Sequence, residues 1–296
     1  MNTAPSLALR WGAPILFVLL WSTGWIVARA ITPYADPFTF LLARYAAATA
    51  AMALIAWAAA APWPKTRAAQ GHALVSGVLL HAIYLGGVWW AIRHGLPASI
   101  SALLSALQPM ITVIVAPALL GERVGGVQKL GVAAGLAGLL IVLGPQLATL
   151  RGEALAGALG PLAANGVAML GITAGALYQK RFIRSGDLRT VAALQYAAAF
   201  VVTLPVAVLL EPMRIEWNAV TLGVLAWSVL AISIGAILLW LVLIRRGAVT
   251  QAASLVYLVP PTTALQAYFL FGERFTLTQI GGVALAILGV ALANRR

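Results

Sequence analysis

His81 and Tyr84 are the first candidates for chemistry in this sequence. His81 lies roughly ten residues into a long apolar stretch, which places it near the middle of a helix rising 1.5 Å per residue. Tyr84 follows one turn later on the same helical face. We place no other ionisable group at this depth. A neutral imidazole both donates and accepts a hydrogen bond, and it titrates near neutral pH. The pair therefore indicates a binding site for a small polar molecule.

A polar stripe and two prolines mark further candidates. The stripe has the spacing of one helical face and consists of Ser101, Ser105, Gln108 and Thr112. Pro109 falls inside it, and a proline within a helix removes a hydrogen bond and bends the axis. Pro260 begins a Pro-Pro pair at the corresponding place in a later stretch. We interpret Pro109 and Pro260 as hinge or gating positions; passive packing kinks are the alternative.

Three more side chains reach a similar depth: Trp21, Asn165 and Tyr257. A polar group in the middle of an apolar helix is costly unless it meets a partner or water. Several at one depth favour a shared hydrated cavity lined by these residues. A hydrogen bond to a neighbouring helix is the other interpretation for each of them.

The sequence lacks the residue patterns typical of metal sites and nucleotide-binding sites. The chain has no cysteine, and its three histidines and seven acids show no metal-ligand spacing. It has no G-x-x-x-x-G-K-[ST] motif to bind a nucleoside triphosphate. All seven acids fall at the ends of apolar stretches or between them. We therefore predict no catalytic residue, no metal and no cofactor.

Composition identifies the class of protein. Of 296 residues, 62% are hydrophobic and only 9% are charged, and the mean hydropathy is +0.97. A soluble domain carries roughly 25% charged residues. The net charge of +12 comes mostly from short gaps between apolar stretches, so the expected partner is a lipid bilayer and not nucleic acid. These numbers predict an all-α integral membrane protein.

Ten stretches are long enough to cross a bilayer, which takes about 20 apolar residues. They span residues 12–31, 37–61, 71–93, 96–120, 125–144, 155–180, 189–210, 217–244, 247–271 and 276–293. With ten crossings, thirteen of the nineteen lysines and arginines lie on the side of both termini. The positive-inside rule then makes both termini cytoplasmic, in a multi-pass protein of a bacterial-type inner membrane.

The sequence repeats itself. A shift of 151 residues superimposes Gly121-Glu122-Arg123 on Gly272-Glu273-Arg274, and Tyr45-Ala46-Ala47-Ala48 on Tyr196-Ala197-Ala198-Ala199. It also pairs Pro109 with Pro260. Each half, 1–150 and 151–296, holds five spans, and an odd number predicts halves inserted in opposite directions. We expect each Gly-Glu-Arg glutamate to lie at the N-terminus of the helix that follows it.

These residues resemble a known family. Two five-helix units, each with a proline-bearing helix, Gly-Glu-Arg, Gln-x-x-Gly and a later glycine, are similar to the EamA repeat of the drug/metabolite transporter superfamily. Leu20-Trp21-Ser22-Thr23 and Arg44 resemble its opening pattern, although Gln195 replaces the arginine in the second half. The resemblance implies a ten-helix bundle that moves metabolites without ATP, often exporting amino acids, including hydrophobic and aromatic ones.

We therefore expect a secondary transporter that exports a small metabolite by alternating access. A carrier for multiple drugs or cationic compounds is the first alternative. A channel and an intramembrane enzyme are weaker ones. The sequence leaves the substrate, the coupling ion and the oligomeric state open.

Overall fold

The computed structural model describes residues 12–105, 107–120, 124–149, 152–183, 185–236, 239 and 258–293. Its α-helices, numbered α1 to α12 in chain order, are Ala13–Ile31, Pro37–Ala58, Arg67–Gly77, Tyr84–Arg93, Ala98–Leu104, Leu107–Leu120, Gly126–Thr149, Gly152–Phe182, Leu188–Leu210, Ala219–Ala226, Val259–Phe271 and Leu277–Ala293. Two π-helical segments, Val78–Ile83 and Trp227–Ala236, continue α3 into α4 and extend α10.

The helices have the length and composition of membrane spans. Seven described segments meet both criteria for crossing a bilayer: Pro37–Ala58, Arg67–Arg93, Ala98–Val115, Gly126–Gly144, Gly152–Phe182, Leu188–Leu210 and Ala219–Ala236. The shorter segments Ile15–Ile31 and Leu277–Ala293 are also apolar. The all-helical class is confirmed, whereas the count of ten spans stays a prediction.

Side chains fix the starts of several helices. Thr66, Asp187 and Asn218 each accept a hydrogen bond from a backbone N–H in the first turn of α3, α9 and α10. Two more helix starts have equivalent caps in the two repeats, formed by Gln128 and Gln279. Each accepts from a backbone N–H three residues earlier, at 2.9 Å, before α7 and α12.

Glycines bring α7 and α12 into backbone contact. A Cβ atom added at Gly131 would overlap the backbone of Ala293, and one added at Gly289 would overlap the backbone of Gly135. Gly138 approaches the backbone of Ala286 in the same way. Small residues that let helices approach this closely are typical of membrane interfaces. The α7–α12 seam therefore joins one helix from each repeat.

Two glutamates cap helices that are distant in sequence. Glu211, just after α9, accepts from the backbone N–H groups of Phe38 and Thr39 at the start of α2, both at 2.8 Å. Glu273 accepts from those of Ala98 and Ser99 at the start of α5, both at 3.0 Å. Our expectation for Glu273 was wrong, because its carboxylate stabilises the N-terminus of α5 and not of the following helix. Glu122 lies outside the described residues.

The two candidate hinge prolines stand at different places in their helices. The fourth stretch divides into α5 and α6 around a turn at Ser105, four residues before Pro109. A proline ring clashes with the carbonyl four residues earlier, which accounts for a break at this point. Pro260 stands in the first turn of α11, where its missing N–H costs nothing.

Candidate functional site

Two tyrosines from equivalent repeat positions meet in the middle of the bundle. Tyr45 on α2 and Tyr196 on α9 stack with ring centroids 6.3 Å apart. The His81 ring stacks on Tyr196 at 4.4 Å, and the Tyr45 hydroxyl donates to the His81 carbonyl at 2.9 Å. His81 lies in the first π-helical segment, a widened turn that often occurs at functional sites.

Arg44 lies against this group. It sits on α2 and is only 3% exposed. Its Nη2 donates to the Ser233 hydroxyl at 3.3 Å, and its Cζ lies 5.9 Å from the centre of the Trp89 ring. Tyr84 belongs to the same buried cluster as Tyr45, Trp89 and Tyr196. We call Arg44, Tyr45, His81, Tyr84, Trp89, Tyr196 and Ser233 the central cluster.

One expectation is therefore wrong: His81 is not the only ionisable group at depth. Arg44 lies seven residues into α2, about 10 Å from its start at 1.5 Å per residue. From the sequence we counted it with the basic residues at helix ends. The burial comes from neighbouring helices: Trp89 on α4 covers one side and Ser233 approaches from the second π-helical segment.

Two polar atoms of the central cluster have no hydrogen-bond partner among the described residues. They are Nε of Arg44 and Nδ1 of His81, and both are fully buried. Buried polar atoms in folded proteins are nearly always hydrogen-bonded, so each exception calls for an explanation. Among the described residues, the Arg44 donor and the His81 ring nitrogen are thus both left open to a ligand.

The acids of the described residues are engaged elsewhere. Glu211 and Glu273 cap helices, and Asp36 accepts from the backbone N–H of Arg214 at 2.8 Å. Glu216 lies 3.6 Å from the Arg214 guanidinium. The remaining two are Asp187, which pairs with Arg189 at 2.6 Å, and Glu153, which is exposed in the first turn of α8. Within these described ranges, Arg44 has no carboxylate partner.

Gln195 shows what the second repeat places at the position of Arg44. Its amide donates to the Ser76 hydroxyl at 2.8 Å and to the Gln179 carbonyl oxygen at 3.4 Å. Like Arg44, it is buried and contacts a serine on a helix of the other repeat. The fold thus accommodates a neutral amide at this position.

The other candidates from the sequence are spread over the bundle. Asn165 on α8 is fully buried and accepts from the Ser101 hydroxyl at 2.6 Å, which links α8 to α5. Ser105 donates to the Ala102 carbonyl in its own helix. The Trp21 ring lies tilted against that of Phe17, with the ring centroids 5.4 Å apart.

Gln108 is partly buried in α6, and its carbonyl accepts from the Thr112 hydroxyl. No described contact joins Ser105, Gln108 or Asn165 to the central cluster. Tyr257 lies outside the described residues. Of the sequence candidates, the structure thus brings only His81 and Tyr84 together with Arg44.

Comparison with known proteins assigns the family. The model of the EamA-like transporter family matches residues 11–144 and again residues 162–295. The chain belongs to the EamA-like transporter family. It is therefore a multi-pass membrane protein built from two EamA units, as the sequence resemblance indicated.

Two relatives extend this assignment. The probable terminal-alkyne amino-acid exporter of Streptantibioticus cattleyicolor is 26% identical over an alignment of 299 positions, and the alignment covers 96% of this chain and 93% of the relative. A crystal structure at 20% identity covers 95% of both chains with a TM-score of 0.67. That second likeness shows that the two chains share a fold.

Sequence reasoning missed five residues of this EamA-like transporter's central cluster: Arg44, Tyr45, Trp89, Tyr196 and Ser233. A signal for Tyr45 and Tyr196 was present, since both begin the repeated Tyr-Ala-Ala-Ala motif. Trp89 also has an equivalent tryptophan in the second half. We took such shared residues for scaffold, but in the structure the two tyrosines stack on one another beside His81.

Proposed function

We propose that this EamA-like transporter exports amino acids, including hydrophobic and aromatic ones, through the central cluster. The observation that carries the proposal is a buried set of aromatic rings with unpaired polar atoms, contributed by helices of both repeats. Such a site offers hydrogen bonds to a zwitterion and apolar faces to its side chain. The name of the Streptantibioticus relative supports the same substrate class.

Export of cationic compounds is the alternative. Aromatic rings attract cations, so Tyr45 and Tyr196 alone would suit such a substrate. Arg44 argues against it, because a buried guanidinium repels a second positive charge in a medium of low dielectric constant.

The proposed mechanism is alternating access between two inverted halves, 1–150 and 151–296, with ten spans in total. Pro109 and Pro260 serve as the hinge or gating points, since Pro109 follows the turn at Ser105 and Pro260 stands in the first turn of α11. We propose that both termini are cytoplasmic in the inner membrane and that the chain catalyses no reaction. Substrate binding also involves Trp21, Ser105, Gln108, Asn165 and Tyr257 in other states of the cycle.

Reporter fusions test this topology. A reporter that is active only in the cytoplasm is fused after Arg296 in one protein and near Arg151 in another. Ten spans place the two fusion points on opposite sides of the membrane, so the first reporter is active and the second is not. Equal activity of both reporters contradicts the ten-span topology.

Transport needs neither sodium nor ATP. Every acid of the chain lies at the end of an apolar stretch or between stretches, so none is placed to carry a sodium ion or a proton across the bilayer. Equilibrative exchange of substrate without an imposed gradient follows from this arrangement.

Counterflow in reconstituted vesicles tests the function. Vesicles preloaded with an unlabelled amino acid should accumulate the same labelled amino acid from outside, with no sodium gradient. A panel of leucine, phenylalanine, glutamate, lysine and the cation ethidium separates the candidates. Accumulation of the neutral amino acids supports the proposal. Accumulation of ethidium alone contradicts it, and so does accumulation that stops without a sodium gradient.

A further inference from the structure

We infer that Arg44 is the binding residue for the carboxylate of the transported compound, so that this transporter recognises substrates with a free carboxylate. This inference rests on the proposed function and names the chemistry of the same site. It would exclude decarboxylated amines and amides of the same amino acids as good substrates.

Arg44 carries a permanent charge that is buried. A guanidinium stays protonated in proteins, so it cannot avoid the cost of burial by losing its charge. Its residual exposure is 3%, and it lies within an apolar span. Charged side chains inside membrane spans are rare, costly and concentrated at functional sites. A charge at this place therefore needs a compensating partner.

The partners present compensate it weakly. Of five N–H donors, the described contacts occupy one, the 3.3 Å bond to the neutral hydroxyl of Ser233. The contact with the face of Trp89 at 5.9 Å lies near the outer limit of a cation–π interaction. Nε is fully buried without a described partner. A guanidinium with a free Nε can bind a carboxylate through two parallel hydrogen bonds.

Among the described residues, every carboxylate lies elsewhere. The six acids in the described ranges cap helices, pair with Arg189 or Arg214, or face outward at the start of α8. The seventh acid, Glu122, belongs to a Gly-Glu-Arg motif far along the sequence from any mid-span position. In this inference the ligand supplies the negative charge that faces Arg44.

His81 and the tyrosines supply groups that suit the other end of a zwitterion. His81 Nδ1 is buried and unpaired among the described residues, so a neutral imidazole can accept a hydrogen bond from an ammonium group. The stacked rings of Tyr45 and Tyr196 offer π-faces to the same cation. A positive pole at Arg44 and electron-rich groups beside it match the charges of an α-amino acid.

The second repeat has a neutral residue at the position of Arg44. Gln195 occupies the equivalent position with both donors of its amide engaged. A structural requirement of the fold for a cation would apply to both positions. The asymmetry instead fits a single asymmetric ligand between two similar halves.

The test compares ligands that differ only at the carboxylate. Binding of L-phenylalanine and L-leucine to the purified full-length protein is measured beside binding of their primary amides and of the corresponding amines. The natural protein should bind each amino acid at least about tenfold more tightly than its amide, because the charge-assisted bonds to the carboxylate are lost. The amines should bind more weakly still.

Variants at Arg44 sharpen the test. Arg44→Gln places the residue of the second repeat at this position and should keep the melting temperature near that of the natural protein. It should weaken amino-acid binding at least about tenfold and bind the amines as well as before or better. Arg44→Lys keeps the positive charge but loses the planar guanidinium. Its affinity for amino acids should lie between that of the natural protein and that of Arg44→Gln. Arg93→Gln, at an exposed arginine near the end of α4, is the matched control and should change nothing.

The outcomes separate the two claims. If the natural protein binds neither amino acid, the proposed function fails and the carboxylate anchor fails with it. If it binds the amino acids and their amines equally, and Arg44→Gln leaves this unchanged, the anchor alone is wrong. Equal weakening of all ligands with a large drop in melting temperature shows that Arg44 is structural and also overturns the anchor.

Discussion

The α7–α12 seam and the central cluster both join the two repeats, but they are built in opposite ways. In the seam, Gly131, Gly138 and Gly289 bring backbone against backbone so closely that a single added carbon has no room. In the central cluster, buried polar atoms of Arg44 and His81 are left without described partners. A contact that is complete within the chain is a fixed scaffold. A contact that lacks partners is suited to a ligand that comes and goes.

The two glutamate caps resemble the seam, because they too are contacts within the chain. Glu211 and Glu273 each bond two backbone N–H groups and a hydroxyl, so their charges are satisfied within the chain. The contrast with Arg44 predicts that changes in the seam and caps reduce stability. Changes in the central cluster should instead reduce binding.

The largest effect is expected in the seam. Gly289→Leu forces a side chain into the backbone of Gly135 and should cost more than about 3 kcal/mol, beyond the usual range for overpacking. The protein should accumulate poorly or melt far below the natural chain. Gly281→Leu on the same helix is the control, because nothing lies within 4 Å of its added Cβ. Equal melting temperatures for the two variants would show that the seam is not a tight contact.

A smaller loss of stability is expected at a cap. Glu211→Ala leaves the N–H groups of Phe38 and Thr39 unpaired and removes a charge from the N-terminus of α2, which should cost about 2 kcal/mol. Amino-acid binding per folded molecule should stay constant. Glu153→Ala, at an exposed glutamate in the first turn of α8, should shift the melting temperature much less. A loss of affinity in Glu211→Ala at unchanged stability would contradict the division into scaffold and site.

The smallest effect on stability, with a clear effect on binding, is expected at His81. His81→Ala removes the imidazole stacked on Tyr196 and should weaken amino-acid binding about tenfold while the melting temperature stays close to normal. His81→Gln should keep part of the affinity, because an amide also donates and accepts. His72→Ala is the matched control, since His72 bonds Tyr178 away from the cluster. Normal transport by His81→Ala would show that His81 only connects helices and does not bind the substrate.

The sequence was informative where a pattern depends on the chain alone. The repeated Gln-x-x-Gly motif and later glycine correspond to Gln128, Gly131 and Gly138 in the first half and to Gln279, Gly282 and Gly289 in the second. In the structure these glutamines cap α7 and α12, and these glycines lie in the seam. Sequence reasoning failed for Arg44, because an arginine near one end of an apolar stretch resembles a charge at the membrane surface. Its burial depends on Trp89 and Ser233, which other helices bring to it. The division of polar candidates between the central cluster and the Ser101–Asn165 pair likewise depends on which helices are neighbours.

Labelling of a single introduced cysteine tests the central claim most directly. The natural chain has no cysteine, so Ser233→Cys places the only thiol of the protein beside Arg44. The labelling rate with a small charged maleimide is measured with and without L-phenylalanine, and Thr278→Cys at an exposed position serves as the control. Our account predicts slow labelling at position 233 that L-phenylalanine slows further, with no effect at position 278. Labelling at position 233 that is unchanged by L-phenylalanine, or the absence of any labelling there, would contradict it.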